Sequence, residues 1–317
     1  MRMAFLRTIC ELAEVDERLW LLTGDLGYSV LERFANSFPD RFINAGVAEQ
    51  NMSGVAAGLA LSGKVVFTYS IANFPILRCL EQVRNDICYH SLNVKIVSVG
   101  GGVAYGSAGY SHHATEDLAI MRVLPNITVF APGDPVEVSL VTQGAAAIPG
   151  PCYIRLGKGG DPVIHQAVPD FVIGKPIEIR EGSDVSIFST GGILHDAVMA
   201  AEALNERGCS ASIVSMPTLE PLDRASVLSF CRRTKFVFTV EEHGPGGLAD
   251  IVADVIARSG TSVQFHPLTL KPKTDTMAGD QKYLRGASGL EAKDIVGRVM
   301  RVFDPAKNKG NNSSQYE

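Results

Sequence analysis

One pattern recurs through all 317 residues: continuous apolar runs of about four to six residues, each followed by a stretch with helical spacing. Runs at 19–23, 65–69, 94–99, 127–131 and 151–156 occupy the first half, and runs at 185–189, 211–216, 235–240 and 262–267 the second. Such a run has no polar alternation, so it predicts a strand buried on both faces. Strands of that kind, returned by helices, make parallel sheets covered on both sides. The helical stretches expected between them lie at 3–17, from about Pro75, up to about Leu124, from Asp134-Pro135, at 193–207, at 246–258 and at 290–303. The fold class is therefore α/β: two doubly wound domains, the second smaller and with a mostly parallel sheet. We divide the chain into a first domain at 1–160, a linker at 161–182, a second domain at 183–305 and a tail at 306–317. The Gly- and Pro-containing segment 157–182 is expected to include a short hairpin, and the polar Asn- and Ser-containing tail to be disordered.

Composition narrows the function classes. A net charge of -5 gives no general reason to expect nucleic acid or an anionic membrane as partner. The six cysteines lack CxxC spacing and read as reduced, mostly buried thiols of an intracellular protein. There is no secretory signal pattern and no apolar run of the roughly 18 residues a membrane span needs, so a soluble cytoplasmic protein is expected.

The stretch most able to carry chemistry is 44–60. A short strand at 41–44 runs into a turn at Gly46, and a helix rich in Ala and Gly follows. Glu49 opens that helix among small apolar residues. It is either a first-turn charge favoured by the helix dipole or a reactive carboxyl held in a close-packed seam. Gly54, Ala57 and Gly58 would give the same helix a thin face that another backbone can approach.

The string GVAEQNMSGVAAGLA resembles the pyrimidine-binding domain of the transketolase and 1-deoxyxylulose-5-phosphate synthase superfamily. The resemblance implies thiamine diphosphate, with Glu49 on N1′ of its aminopyrimidine and therefore catalytic. A carboxylic acid there favours the imino tautomer whose nitrogen removes the thiazolium C2 proton. It further implies an aromatic platform for the pyrimidine within Tyr69-Ser70-Ile71-Ala72-Asn73-Phe74-Pro75, with Phe74 chosen and Tyr69 as the alternative. His112 falls on the family histidine that hydrogen-bonds substrate oxygens beside C2, and His113 on the neighbouring glutamine. The family's donor-contacting Asp falls on Ala108, which departs from the usual sugar specificity. Lys158, Arg155 and Arg78 occupy or flank basic positions used for substrate phosphate, and Asp25 matches a loop acid near the cofactor at a subunit interface. The second Gly-rich turn, 241–247, lacks a P-loop Lys followed by Ser/Thr and a GxGxxG, and His243 is given no catalytic role.

The superfamily holds diphosphate and a divalent metal on another domain, through Gly-Asp-Gly followed by Asn-Asn. This sequence has no Gly-Asp-Gly, and its one Asn-Asn, Asn311-Asn312, lies in the polar tail. No metal ligand is assigned here. The expectation is a split enzyme: an N-terminal-half subunit holds Mg²⁺ or Ca²⁺ and the diphosphate, in an α2β2 assembly. The expected activity is transfer of a two-carbon ketol unit from a ketose or ketose phosphate to an aldehyde acceptor. The alternatives are a 2-oxo acid decarboxylating thiamine enzyme and a non-catalytic partner subunit.

Overall fold

The computed structural model describes residues 1–271 and 277–303; the tail expected to be disordered falls outside them. Among these residues two sheets organise the chain. The larger has seven strands in the order β10-β5-β6-β4-β3-β1-β2, where β1 is Leu19–Thr23, β2 Phe42–Asn44, β3 Val65–Ile71, β4 Val94–Val99, β5 Thr128–Phe130, β6 Cys152–Leu156 and β10 Thr218–Glu220. The smaller has five in the order β12-β11-β8-β9-β7, with β7 Ile177–Arg180, β8 Val185–Thr190, β9 Ala211–Ser215, β11 Phe236–Glu241 and β12 Gln264–Leu268. All neighbours are parallel except two edge pairs, β10 with β5 and β7 with β9. The two α/β sheets expected from the apolar runs are both present.

The runs are apolar because each strand is covered twice. In the larger sheet Leu21, Phe67, Val97 and Ile154 face the helices Arg2–Val15 and Pro135–Ala147. Leu22, Val66, Ile96 and Tyr153 face the opposite layer, which includes the helix Glu49–Leu61. Each fully buried Phe or Leu contributes about 1.5–3 kcal/mol, so the two layers supply most of the driving force. The second sheet packs one face on the helices Leu194–Glu206 and Ala292–Val302. Its other face, through Phe188, Val214 and Val237, continues into the same core as the first domain.

Four details differ from expectation. The linker forms no hairpin: its one strand, β7, pairs with the distant β9. Strand β10 crosses from the second half to finish the first sheet, a pairing that three residues of sequence do not announce. The helices Arg224–Cys231 and Gln281–Ser288 come in addition to those expected. The helix expected from Pro75 is broken into Phe74–Leu77, Leu80–Gln82 and a π-turn at Val83–Cys88.

The linker is pinned by a buried polar cluster. Asp134 caps Pro135–Ala147 by accepting from Glu137 N at 2.8 Å. Its other oxygen accepts from the backbone N–H groups of Ile164 and His165 at 2.9 and 3.0 Å. The His165 ring packs against both acids, 3.1 Å from Asp134 and 3.6 Å from Glu137. Burial opposes the Asp134 charge, but these hydrogen bonds outweigh it and hold the carboxyl down to about 2. Burial pushes Glu137 up to about 6. Burial would lower His165, yet Asp134 and Glu137 raise it above its ordinary value. Asp134 thus stabilises the fold above its unfolded value of about 4 and loses that contribution as pH falls towards 2. His165 stabilises it below about 6.5, and the contribution is lost as pH rises through the raised folded value. Glu137 opposes folding by an amount that builds as pH climbs from its unfolded value towards about 6 and is constant above it. We therefore expect His165→Gln to cost on the order of 2–3 kcal/mol near pH 5.5 and clearly less at pH 8.5. Thermal unfolding of both proteins across that range checks this; a pH-independent difference would contradict the charged pairing.

Candidate functional site

Parallel strands open their C-terminal ends at one edge, and the loops gathered there are where sites form in open α/β sheets. Here the loops after β1, β2, β3, β4 and β6 carry the candidate residues.

The first two loops are stapled together. Asn44 donates its amide to Asp25 at 2.9 Å and accepts from the backbone N–H groups of Asp25 and Gly46, both at 3.0 Å. Tyr28 also donates to Asp25, at 3.0 Å. The Asn44 and Tyr28 hydrogen bonds hold the Asp25 carboxyl below the usual range, on a residue with φ 57°. This staple sets the turn at Gly46, φ 70°, from which the helix Glu49–Leu61 starts. Asp25 is thus an anchor for the loop that delivers Glu49.

Glu49 is only 3% exposed. One carboxyl oxygen, Oε2, accepts from Arg78 Nη1 at 3.1 Å, while Oε1 is buried with no hydrogen-bond partner. Beside it, a Cβ added to Gly24 would lie 3.5 Å from Oε1. A buried acceptor with no donor costs about 1–3 kcal/mol.

The same Arg78 guanidinium lies 3.9 Å from the ring centroid of half-buried Phe74 and so links that ring to the carboxyl. His112 meets Phe74 edge-on at 5.3 Å between centroids, and Tyr105 lies 5.8 Å further along. Lys158 Nζ sits 4.8 Å from the Tyr105 ring. Glu49, Arg78, Phe74, His112, Tyr105 and Lys158 therefore form one continuous row across the strand ends. Ser111 Oγ lies 2.9 Å from His112 Nδ1, which leaves the opposite ring nitrogen uncommitted to that contact.

Three expected site residues are placed elsewhere. Tyr69 is buried and its ring stacks on Phe5 at 5.9 Å, so it is core and not a platform. His113 is 1% exposed and donates Nε2–H to Gly106 O at 3.0 Å, closing its own loop from below. Arg155 is 4% exposed and pairs with Asp117 at 3.0 Å. It also donates to the carbonyls of Ala114 and Glu242, at 2.8 and 2.9 Å. Its Nε and Nη2 are thereby committed to the seam between the two sheets. His243 belongs to that seam too. It donates Nδ1–H to Gly244 O at 2.8 Å and accepts Leu118 N–H at 3.2 Å, and burial lowers its pKa.

Two contributors carry no strong sequence signal. Asn73 donates to Ser111 O at 2.7 Å and so couples the Phe74 loop to the His112 loop. Tyr105 bridges His112 and Lys158. The one hint of it is Gly100, φ 84°, whose added Cβ would lie 2.1 Å from the Tyr105 ring, so the glycine run makes room for that aromatic.

A polar carboxyl with an open acceptor, a neighbouring aromatic face and an imidazole suit an organic heteroaromatic group that can donate to Glu49. The described residues contain no cluster of three or more His, Cys, Asp or Glu able to hold a metal.

Comparison with known proteins agrees with this architecture. Residues 1–160 match the transketolase pyrimidine-binding domain and residues 174–295 the transketolase C-terminal domain. The chain is 39% identical over 305 residues to a putative transketolase C-terminal section of Methanocaldococcus jannaschii, covering 95% of both chains. It is 37% identical over 264 residues to an apulose-4-phosphate transketolase subunit of Actinobacillus succinogenes, covering 83% of this chain and 85% of that one. The solved structure described as a split gene transketolase, inactive beta4 tetramer, superposes with a TM-score of 0.85 at 38% identity, over 95% of this chain and 96% of that one. The chain belongs to the transketolase family and carries its pyrimidine-binding and C-terminal domains in that order.

Proposed function

We propose that this chain is the C-terminal-half subunit of a thiamine diphosphate-dependent transketolase whose active site is completed by an N-terminal-half chain. The observation that carries the reading is the buried Glu49 carboxyl with an unpartnered Oε1, joined through Arg78 to the Phe74 ring. When bound, thiamine diphosphate supplies an acidic C2–H whose loss creates the nucleophile for cleaving a ketose beside its carbonyl. Glu49 shares a proton with N1′ of the aminopyrimidine, in a seat dry enough for that proton to count. Phe74 carries the pyrimidine face. His112 hydrogen-bonds the oxygens of the transferred two-carbon unit, and Lys158 meets the anionic end of a substrate as a point charge.

The partner supplies the diphosphate site and its Mg²⁺ or Ca²⁺. Contact with it falls on the face of Glu49–Leu61 that carries Gly54 and Gly58. A Cβ added to either glycine meets nothing within 4 Å, and Val47 and Leu61 are exposed nearby in sequence. An α2β2 assembly in the cytoplasm accommodates these features. Ala108, exposed in the His112 loop where the family has a donor-contacting acid, also suits a substrate without the usual sugar hydroxyl. A 2-oxo acid donor is the second reading for that reason, and release of carbon dioxide distinguishes it.

Calorimetry with thiamine diphosphate and Mg²⁺ tests the first step. We expect binding by the assembled pair and none by the lone chain; tight binding by the lone chain would refute the shared site. Glu49→Gln is expected to lower kcat by about 10²–10⁴-fold, the usual worth of a positioned acid–base group. Lys158→Ala should raise KM for a phosphorylated substrate about tenfold while kcat stays within about twofold, since it removes an interaction made equally in ground and transition states. Steady-state kinetics on phosphorylated and neutral substrates reads both parameters, and an equal effect on both substrates would remove Lys158 from this role.

A further inference from the structure

Arg78 lies on the ring face assigned above to the cofactor's pyrimidine and is anchored by the same carboxyl group through its other oxygen, Oε2. Its guanidinium is planar, lies 3.9 Å from the Phe74 ring centroid, and donates to Glu49 at 3.1 Å. A flat heteroaromatic ring that stacks on Phe74 while donating to the open Oε1 of Glu49 needs the ring face that Arg78 covers from its anchor on Oε2. Both sets of contacts compete for one seat. We infer that Arg78 is an internal occupant of the pyrimidine seat, which cofactor binding must displace; the inference rests on the reading of Glu49 and Phe74 given above.

The geometry allows the exchange. The Arg78 side chain is 49% exposed, whereas its partner Glu49 is 3% exposed, so the guanidinium can swing into solvent while the acid stays in place. It is held by one carboxylate and one ring face, and not by a buried network of the kind that locks Arg155. Arg78 also stands where the helical segment is broken, between Phe74–Leu77 and Leu80–Gln82, with the π-turn Val83–Cys88 beyond. Irregular helical turns of this kind concentrate at functional positions. Closed by its own arginine, the seat keeps a buried carboxylate paired and an aromatic face covered while no cofactor is present. Once displaced, the cation remains at the mouth of the site.

An internal competitor reduces apparent affinity by the fraction of time the seat is open. Removing it should therefore tighten cofactor binding, the opposite of what loss of a binding or positioning arginine would do. The test is calorimetric titration of thiamine diphosphate, with Mg²⁺ present, into the assembled pair of subunits carrying wild-type chain, Arg78→Met or Arg78→Lys. Arg78→Met is expected to lower Kd about tenfold. Arg78→Lys keeps the charge but not the planar stack, and should fall between. The gap between wild type and Arg78→Met should shrink on going from low to high salt, because an ion pair half open to water is screened. If wild type binds and neither variant binds more tightly, Arg78 is not an occupant and this inference alone fails. If no form of the pair binds the cofactor, the assignment of Glu49 and Phe74 fails, and this inference with it.

Discussion

The structure depends on a buried parallel sheet. Parallel strands must be returned over a face by a crossover, so both faces acquire helices and all the strand ends of one polarity come out together. In this chain that arrangement collects five loops along one edge of the larger sheet, and every half-exposed candidate group lies on them. The strands themselves contribute no chemistry. They fix the spacing between a carboxyl after β2, an aromatic ring after β3, an imidazole after β4 and an ammonium after β6, and they do so with core residues that tolerate little movement.

A second constraint is the polar seam between the two sheets. Arg155, Asp117, Tyr153 and His243 are almost fully buried, as is Glu242 of the second domain, which its neighbours Arg285 and Gln281 hold in place. Burying charges is costly unless they are paired, and here the guanidinium of Arg155 reaches a carboxylate and two backbone carbonyls. The same seam holds Val103 N–H through Glu242 at 2.8 Å and thereby anchors the base of the loop carrying His112. With strand β10 added to the first sheet from the second half, the domains share core, sheet and hydrogen bonds. The site loop is consequently supported from both.

Much of this was legible in the residues. Uninterrupted apolar runs can be satisfied only by burial on both faces, so the α/β class and the strands of the sheet interiors followed from pattern. Glu49 stood out only through the resemblance of its flanking string to the pyrimidine-binding domain; as a lone acid at a helix start it read equally as a first-turn charge favoured by the dipole. The failures among the site residues are of one kind. Tyr69, His113 and Arg155 lie in the segments expected but are buried and engaged with the core or the seam. Tyr69 and Arg155 still belong to strands whose two faces are both covered, whereas Phe74 and Lys158 lie beyond the strand ends; His113 closes a 3-10 turn that turns its ring inward. β10 and β7 were missed for another reason. Edge strands of three or four residues gain their identity from the partner they meet, and that partner is distant in sequence.

The sequence by itself determined the layered α/β class, the buried thiols and the location of the acidic helix start, because these rest on local composition and period. Tertiary structure decided which side chains share the row from Glu49 to Lys158, that Arg155 serves the seam, and that Arg78 lies on Phe74 against Glu49. Those outcomes turn on side-chain direction and on contacts between residues tens of positions apart. Such contacts exist only once the sheet has closed the distance.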